Sequence, residues 1–373
     1  MKVLQLVSCR GWSSDAYWAA RISRELERRG HVVTLGCRAG TEEKVMARAR
    51  REGVERIAVF GFVGGLRPAR DVDDVRRLAR SLAEVDVVHV HRGKEHWLAA
   101  VANRVGRTRR PLVRTRHIVQ AVRPHAANRW LYRHATDLVI TVSDAIRRQY
   151  VASRLLPEGR AVVLHGGVDA EAFRADRPAP GVRARLGAVD GAPLVGMVAG
   201  LRVMKGHAVV VEATARLRER GLAPHVTFVG QGRWEERIRR LVRTAGLDAQ
   251  ITLSGFAPDL PAVMTALDVA LYAPLESEGM SRVVFEYLAA GRAVVAARTG
   301  VVPEILHDGE DAVLVPAGEP VALADAIARL VGDPALRARL GVAGRHLIET
   351  DYSGARLAER LEGLYRSLAA LAA

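Results

Sequence analysis

The chain has 373 residues, of which 49% are hydrophobic and 26% charged, a length typical of two domains. Mean hydropathy is near zero at +0.03, which excludes a disordered chain, and no run of 18 apolar residues predicts a transmembrane helix. Cys9 and Cys37 are too few for a disulfide framework, so we expect two small buried thiols. The start MKVLQLVSCRGWSS turns polar too soon for a secretory signal, which favours a cytoplasmic protein.

Positive charge is concentrated in the first half of the chain. Residues 1–180 hold 34 Lys and Arg against 19 Asp and Glu, whereas residues 181–373 hold 22 of each, so the first half carries the whole net charge of +15. This asymmetry predicts an anionic partner for the first half, and a compositional bias toward arginine is the alternative. Trp97, Trp130 and Tyr132 could be membrane-interface anchors as readily as base-stacking platforms. Lipid phosphate is favoured over nucleic acid, since no RNA-recognition or zinc-finger motif occurs.

Apolar runs alternate with amphipathic segments along the first half, which predicts strands separated by helices. The predicted strands are 3–7, 31–35, 56–60, 85–90, 112–115, 138–142 and 161–164, and the predicted helices are 16–29, 72–83 and 97–105. Continuous apolar strands of this kind are buried on both faces. We therefore predict a parallel, doubly wound sheet.

Three prolines and three glycines interrupt this alternation at 176–193, where we predict the linker. The second half then repeats the pattern. Its predicted strands are 194–198, 225–229, 251–253, 269–272, 293–296 and 312–315, and its predicted helices are 208–220, 235–245, 261–266, 283–290, 320–330, 334–347 and 355–371. We therefore predict domains at 1–176 and 177–350, facing each other across a cleft, and a last helix within 351–373 that returns toward the first domain.

The segment 277–291, SEGMSRVVFEYLAAG, joins an acidic loop to a short apolar helix. Ser281 is expected to be the N-cap, and the free amides that follow it would face an anion, helped by the helix dipole. Glu286 has apolar neighbours, so we expect a buried carboxylate able to accept hydrogen bonds from a vicinal diol such as ribose. Glu278, in the loop, could bind sugar hydroxyls on the other side of the phosphate.

A basic loop, GLRVMKG at 200–206, follows the first strand of the second half. Arg202 and Lys205 would lie at the carboxyl end of a buried strand, where they could balance the charge of a departing diphosphate. This pattern is a weak signal alone. Combined with the two glutamates it becomes specific.

Together these segments resemble the retaining GT-B glycosyltransferases of family 4, also called glycosyl transferases group 1, over nearly the whole chain. The most specific match is the E-x7-E pair of Glu278 and Glu286. The run HGGVDAEAF, from His165 to Phe173, is similar to a stretch at the end of the family's first domain. The resemblance implies an α/β fold of two Rossmann-like doubly wound parallel-sheet domains facing a cleft, with C-terminal helices.

The resemblance also implies roles for the matching residues. Arg202 and Lys205 would hold the donor diphosphate, Glu286 the ribose and Glu278 the transferred sugar. His117, which closes the strand of VRTRHI, would lie near the sugar carbon where bonds exchange and would position the substrate. The remaining residues implied in donor binding are Gly11, Gly230, Gly232, Gly255, Phe256, Gly279, Met280, Ser281 and Arg282.

Two weaker signals have ordinary explanations. His89, His91 and His96 have no nearby carboxylate or cysteine to complete a metal site, so we expect polar contacts at a strand end or contacts with the acceptor. The acidic run that begins at Asp71 opens a helix, and Asp71 or Asp73 is expected to cap it.

The resemblance implies an enzyme that moves a sugar from a nucleotide diphosphate sugar to a saccharide or lipid-linked acceptor, with retention of configuration and with no metal or other cofactor. Members of this kind build cell-envelope polysaccharide or lipopolysaccharide, and the basic first domain would make it a peripheral protein at the inner face of the cell membrane. Two alternatives stay open. They are a nucleotide-sugar epimerase on the same scaffold and a non-catalytic basic protein that binds nucleic acid or membrane.

Overall fold

The computed structural model describes residues 1–106, 108–174, 181–188, 191–276 and 281–372. The chain divides into two units, Met1–Gly166 with Gly354–Ala373, and Gly167–Ser353. The boundary predicted at 176 and 177 falls within residues 175–180, which lie outside the described ranges.

Seven strands, paired in parallel, form the sheet of the first unit. They are β1 (Lys2–Val7), β2 (Val32–Arg38), β3 (Arg56–Phe60), β4 (Val87–Val90), β5 (Leu112–Arg116), β6 (Leu138–Thr141) and β7 (Ala161–Val163). Their order is β3-β2-β1-β4-β5-β6-β7, and Val3 on β1 lies opposite both Val33 and Val87. The chain therefore reverses its winding between β1 and β4, where an open α/β sheet binds its ligands at the carboxyl ends of the strands.

Helices connect these strands, as parallel pairing requires. They are α1 (Ser14–Arg28), α2 (Ala47–Arg51), α3 (Pro68–Leu82), α4 (Gly93–Val105), α5 (Ala126–Trp130) and α6 (Asp144–Ala152). A π-helical turn, Leu131–Ala135, continues α5.

The second unit repeats the architecture with six strands in the order β10-β9-β8-β11-β12-β13, so that its winding reverses between β8 and β11. The strands are β8 (Leu194–Val198), β9 (His225–Val229), β10 (Ile251–Gly255), β11 (Val269–Tyr272), β12 (Ala293–Ala297) and β13 (Val313–Val315). The helices are α7 (Val182–Arg185), α8 (His207–Glu219), α9 (Glu235–Thr244), α10 (Leu260–Ala266), α11 (Arg282–Ala289), α12 (Val302–Ile305), α13 (Pro320–Gly332) and α14 (Pro334–Leu347).

The last helix, α15 (Gly354–Ala372), belongs to the first unit, where it packs against α1. Arg29 at the end of α1 forms a 2.6 Å ion pair with Glu362. Tyr365 is 1% exposed and its hydroxyl lies 3.3 Å from Nε2 of Gln5 on β1. The end of the chain thus completes the core of the unit in which the chain begins.

The predicted parallel, doubly wound sheets are confirmed, but several helix starts were wrong. Helix α3 begins at Pro68 rather than 72, and its N-cap is Arg67, whose amide donates to Asp71 over 3.0 Å. Helix α4 begins four residues early, because the Glu95 side chain accepts the amide of Arg92 and stabilises a polar first turn. Five short helices, α2, α5, α6, α7 and α12, were not predicted from the sequence pattern.

Cys9 and Cys37 are free and 1% and 0% exposed, which confirms the expectation of two buried thiols. Among the helices that the structure describes, none is long and apolar enough to cross a bilayer.

Candidate functional site

Three loops of the second unit come together at the carboxyl ends of β8, β9 and β10. The Gly230 amide donates to the Gly255 carbonyl over 2.8 Å, and the Leu201 amide donates to the Gln231 carbonyl over 3.1 Å. The structure therefore joins the predicted glycines Gly230, Gly232 and Gly255 to the 200–206 loop in one backbone network. Phe256 follows, and its side chain is 69% exposed.

Two glycines are required for this close approach of backbone segments. Gly206 has φ +79°, and a β-carbon there would overlap the carbonyl oxygen of Ala273, which follows β11. Gly230 has φ +147°, and a β-carbon there would overlap the carbonyl oxygen of Ala199. A side chain at either position would push the loops apart.

The basic loop lies where the winding of this sheet reverses. Arg202 is exposed and Lys205 half-buried, and both belong to a tight turn that ends at Gly206. The Leu275 amide donates to the Met204 carbonyl over 2.9 Å, which ties this loop to the segment after β11. Two cations are thus presented at the edge where the fold favours ligand binding.

Helix α11 carries the glutamate that the sequence predicts to be buried, and burial is confirmed: Glu286 is 3% exposed. Its Oε1 lies 2.7 Å from Nε of Arg282, one turn earlier. The Tyr287 hydroxyl accepts the Val198 amide over 2.6 Å, so α11 is fixed to the carboxyl end of β8. Burial, opposed by this hydrogen bond, raises the pKa of Tyr287, which keeps the phenol neutral.

Ser281 is the N-cap residue of α11, as predicted, but its side chain makes no capping hydrogen bond. The amides at this helix start therefore lack the side-chain partner expected of them. Glu278, Gly279 and Met280 lie outside the described residues, and their roles stay predictions.

In the first unit, His117 follows β5 and is buried. Its Nε2 lies 3.1 Å from Nδ1 of His91, and its ring centroid lies 5.6 Å from that of Trp18. Its Nδ1 has no hydrogen-bond partner among the described residues. This nitrogen is therefore a buried polar atom whose hydrogen-bonding capacity the described residues leave unused.

Burial lowers the pKa of His117 to about 4. The charge of Asp15 opposes this shift, whereas Arg92, Arg114 and Arg116 add to it. His117 is therefore a neutral imidazole near pH 7.

His89 and His91 stack on each other with ring centroids 4.6 Å apart. Nε2 of His91 lies 2.7 Å from Oε1 of Gln5, and Nε2 of His89 lies 2.6 Å from the Thr115 hydroxyl. Within the described part of the chain, no group of His, Cys, Asp or Glu is arranged to hold a metal. His91 contacts His117 directly, and Nε2 of His96 lies 2.8 Å from the Thr136 hydroxyl. All three histidines therefore make polar contacts, although His96 lies inside α4 and not at a strand end.

Gly11 lies in the loop after β1, beside a cationic cavity of about 500 Å³. The cavity is lined by Ser8, Arg10, Gly11, Trp12, Ser13, Arg38, Phe62, Gly64, Arg92 and Lys94. Arg92, which lines the cavity, donates a hydrogen bond from Nη2 to the buried carboxylate of Asp15 over 3.2 Å. Burial opposes ionisation of Asp15, but hydrogen bonds from Arg92 and Ser13 lower its pKa to about 2.

Sequence reasoning missed Asp15, Gln5 and Tyr365 as members of this site. Asp15 and Arg92 are 77 residues apart, and Gln5 and Tyr365 are 360 apart. Only the pairing of β1 with β4 and the return of α15 bring them together. A polar residue inside an apolar strand, as Gln5 is in VLQLV, was the available signal.

Comparison with known proteins gives two family matches. The group named "Glycosyl transferases group 1" matches residues 181–347, and "Glycosyltransferase Family 4" matches residues 16–172. A GDP-mannose-dependent alpha-(1-6)-phosphatidylinositol monomannoside mannosyltransferase of Mycolicibacterium smegmatis is 32% identical over 240 residues, which are 61% of this chain and 62% of that protein. The match thus spans about three fifths of that relative.

Solved structures share the architecture over nearly the full length. A glycosyltransferase from Rickettsia africae superposes with a TM-score of 0.86 at 19% identity over 98% of each chain. The Anabaena protein HepE in complex with UDP gives a TM-score of 0.81 at 21% identity over 99% of this chain and 100% of that one. The fold is thus that of the GT-B glycosyltransferases. With the two family matches, the chain belongs to the family 4, or group 1, glycosyltransferases.

Proposed function

We propose that the protein transfers a sugar from a nucleotide diphosphate sugar to a saccharide or lipid-linked acceptor, with retention of configuration and without a metal ion. The second unit binds the donor, and the first unit binds the acceptor. The observation that carries this proposal is the buried carboxylate of Glu286, held on a helix that is tied to the same strand end as the basic loop.

A buried carboxylate is costly unless it is hydrogen-bonded, and Arg282 is one partner of Glu286. A ribose offers two adjacent hydroxyl donors to a carboxylate. We assign Glu286 to the ribose and the glycine-lined loops, with Gly230, Gly232, Gly255 and Phe256, to the base.

Arg202 and Lys205 would hold the diphosphate and stabilise the negative charge that it gains as it leaves. The first amides of α11 would add to this stabilisation, because the dipole of a helix favours an anion at its N-terminus. Preorganised charges of this kind are the largest single contribution to many enzymatic rates. Glu278 and the amides of Gly279 to Ser281 are proposed to contact the transferred sugar.

His117 is proposed to position the sugar and the acceptor rather than to act as a nucleophile. Its neutral ring and its free Nδ1 suit a hydrogen bond to a hydroxyl. The departing phosphate would receive the proton of the acceptor hydroxyl. The expected independence from metal is tested directly by assaying sugar transfer in EDTA, where full activity is expected.

The donor site is tested by thermal shift with UDP, GDP and ADP and their common sugars. A ligand at 100 times its dissociation constant adds about 2.7 kcal/mol of stability. We expect nucleotides of one base to raise the melting temperature, and we expect Glu286→Ala and Lys205→Ala each to abolish this rise.

The matched controls are Glu219→Ala, at the end of α8, and Lys44→Ala, in the first unit; both residues are exposed, and both variants are expected to keep the shift. A chain that binds none of the nucleotides contradicts the proposal. Formation of an epimerised donor in the absence of any acceptor contradicts it in favour of the epimerase.

A further inference from the structure

An apolar groove runs along the surface of the first unit between α3 and α4. It has a volume of about 800 Å³ and is lined chiefly by side chains of the two helices and of the loop before α3. Its lining includes Leu66, Val72, Trp97, Val101 and Val105. Helical periodicity places the α4 residues at i, i+4 and i+8 on one stripe, so the apolar surface is continuous along the helix.

The two helices run side by side in the same direction. Nζ of Lys94, in the first turn of α4, lies 2.6 Å from Asp71 in the first turn of α3. At the other end, the α-carbon of Gly106 faces Ala79 of α3. The groove follows about 12 residues of α4 and is therefore about 18 Å long.

The groove walls are exposed to an unusual extent for large apolar side chains. Leu66 is 84% exposed, Val105 67% and Val72 48%. A contiguous apolar patch of this kind on a solvent-exposed face is typical of a binding site.

The groove adjoins the cationic cavity beside Gly11. Lys94 lines both, and Gly64 of the cavity is followed in the chain by Gly65 of the groove. The Lys94 ammonium also donates to the Gly65 carbonyl over 2.8 Å, so it stands at the junction of the two spaces. A polar and an apolar compartment therefore meet at one end of α4.

Part of the cationic charge of the cavity is not neutralised by any carboxylate that the structure describes. Arg92 and Lys94 are paired with Asp15 and Asp71, respectively. Arg10 and Arg38 have no carboxylate within ion-pair distance among the residues that the structure describes. Two unneutralised guanidinium groups in one cavity favour a phosphate-bearing ligand.

We propose that the cavity and the groove form one acceptor site for an amphiphile, with its phosphate-bearing head in the cavity and its hydrocarbon chain in the groove. The inference rests on the proposed function and narrows the acceptor to a membrane lipid. The head group lies at the carboxyl edge of the sheet, the edge at which His117 follows β5. The hydrocarbon chain of the lipid extends along α4, away from that edge.

A lipid fits this surface better than a protein segment does, because of the charges around the groove. Arg76 forms part of the wall, and Arg80 and Arg104 are exposed on the same two helices near its far end. Trp97 stacks on Trp130 with ring centroids 5.9 Å apart, at the groove. Arginine and tryptophan beside an apolar surface are typical of the interface of an anionic bilayer.

The test uses the full chain and lysophosphatidic acid, which has one phosphate and one acyl chain, kept below its micelle concentration. Glycerol phosphate supplies the head without the chain, and monoacylglycerol supplies the chain without the phosphate. We expect lysophosphatidic acid to bind tightest of the three. An acyl chain that carries bromine atoms is expected to quench the fluorescence of Trp97, and Trp97→Phe is expected to remove that quenching while binding persists.

Substitutions separate the two compartments. Val101→Glu is expected to weaken lysophosphatidic acid about tenfold, which matches the loss of about two buried methylene groups, and to leave glycerol phosphate unaffected. Val342→Glu is the matched control, since Val342 is 72% exposed on α14 of the other unit. Arg10→Gln is expected to weaken both phosphate ligands and to reduce their salt dependence, and Arg240→Gln, an exposed arginine on α9, is its control.

Equal affinity for glycerol phosphate and lysophosphatidic acid would overturn the inference, as would equal affinity for monoacylglycerol and lysophosphatidic acid. A dimer in sedimentation that Val101→Glu dissociates would instead assign the groove to a second copy of the chain. Nucleotide binding, measured on the same samples, separates this failure from a failure of the proposed function. If a nucleotide binds and the lipid does not, the transferase proposal stands and the lipid site falls.

Discussion

The two units have the same kind of sheet and different chemistry at its edge. In both, parallel strands reverse their winding next to the first strand, between β1 and β4 and between β8 and β11. The first unit has neutral buried histidines and a cationic cavity at this edge, and an apolar groove that leads away from the cavity between α3 and α4. The second places glycine-lined loops, two cations and a buried glutamate.

The topology of the sheet therefore sets the place at which a ligand binds, whereas the loops at that place determine which ligand is bound. Both edges are equivalent in topology, yet we propose a nucleotide ligand for one and an amphiphilic acceptor for the other. The difference resides in a few residues, such as Gly206 and Glu286 in one unit and Arg10 and His117 in the other. Function is thus argued from these sites and not from the shared sheet.

The largest effect is expected at the donor edge. Lys205→Ala is expected to lower kcat about 10²- to 10³-fold, because it removes a charge that is proposed to stabilise the leaving diphosphate. Steady-state transfer assays with the donor found by thermal shift measure this loss. Lys44→Ala, in the first unit, should leave kcat unchanged, and an equal loss in both variants would show that the effect is not local.

The next effect tests the close packing of the donor loops. Gly206→Ala is expected to cost roughly 2–4 kcal/mol, because the new methyl group meets the Ala273 carbonyl as well as a left-handed backbone. Gly221→Ala is the matched control. It has a similar φ, +74°, but open space around it, so only about 1–2 kcal/mol of backbone strain is expected. Thermal unfolding compares the two, and equal shifts in Tm would disprove the steric explanation.

A third effect concerns the response of the first unit to pH. The pKa of His117 is about 4 in the folded chain against 6.5 for a free histidine, so the unfolded chain binds the proton first as pH falls. The stabilising contribution of the neutral, buried His117 is complete above pH 6.5 and is lost as the pH falls from 6.5 to 4. Burial likewise lowers the pKa of His89, His91 and His96 in the same unit.

We therefore expect the stability of the first unit to fall steeply with acid. His117→Asn should reduce that slope by about 1.4 kcal/mol per pH unit, whereas His134→Asn, at an exposed position, should not. Urea unfolding at pH 7, 6 and 5 measures the slopes. Parallel slopes for the natural chain and His117→Asn would contradict a neutral buried His117.

The smallest effect concerns the thiols, both of which report on the first unit. Burial raises the pKa of Cys9 to about 11 and that of Cys37 to about 12. Neither is expected to react with a thiol reagent at pH 8 until the first unit opens. If the thiols of the native chain were labelled within minutes, the first unit would open more readily than the burial of Cys9 and Cys37 in its core predicts.

Sequence pattern was sufficient to predict the strands, their parallel winding and the burial of Glu286. Continuous apolar strands separated by helices are compatible with few topologies. The apolar residues on both sides of Glu286 in the sequence predicted that its side chain is buried. Local pattern was weaker for helix starts, as at α4, because a side-chain cap stabilises a turn that has no apolar stripe.

The residues that meet at the carboxyl edge of the first unit's sheet could not be predicted from local sequence, because tertiary contacts bring them together. Gln5 and Tyr365 lie at opposite ends of the chain, and Asp15 reaches Arg92 only because β1 pairs with β4. The apolar groove is a product of two helices that are not adjacent in sequence. Neither its depth nor its contact with the cationic cavity has a local signature, because both depend on how separate elements pack in three dimensions.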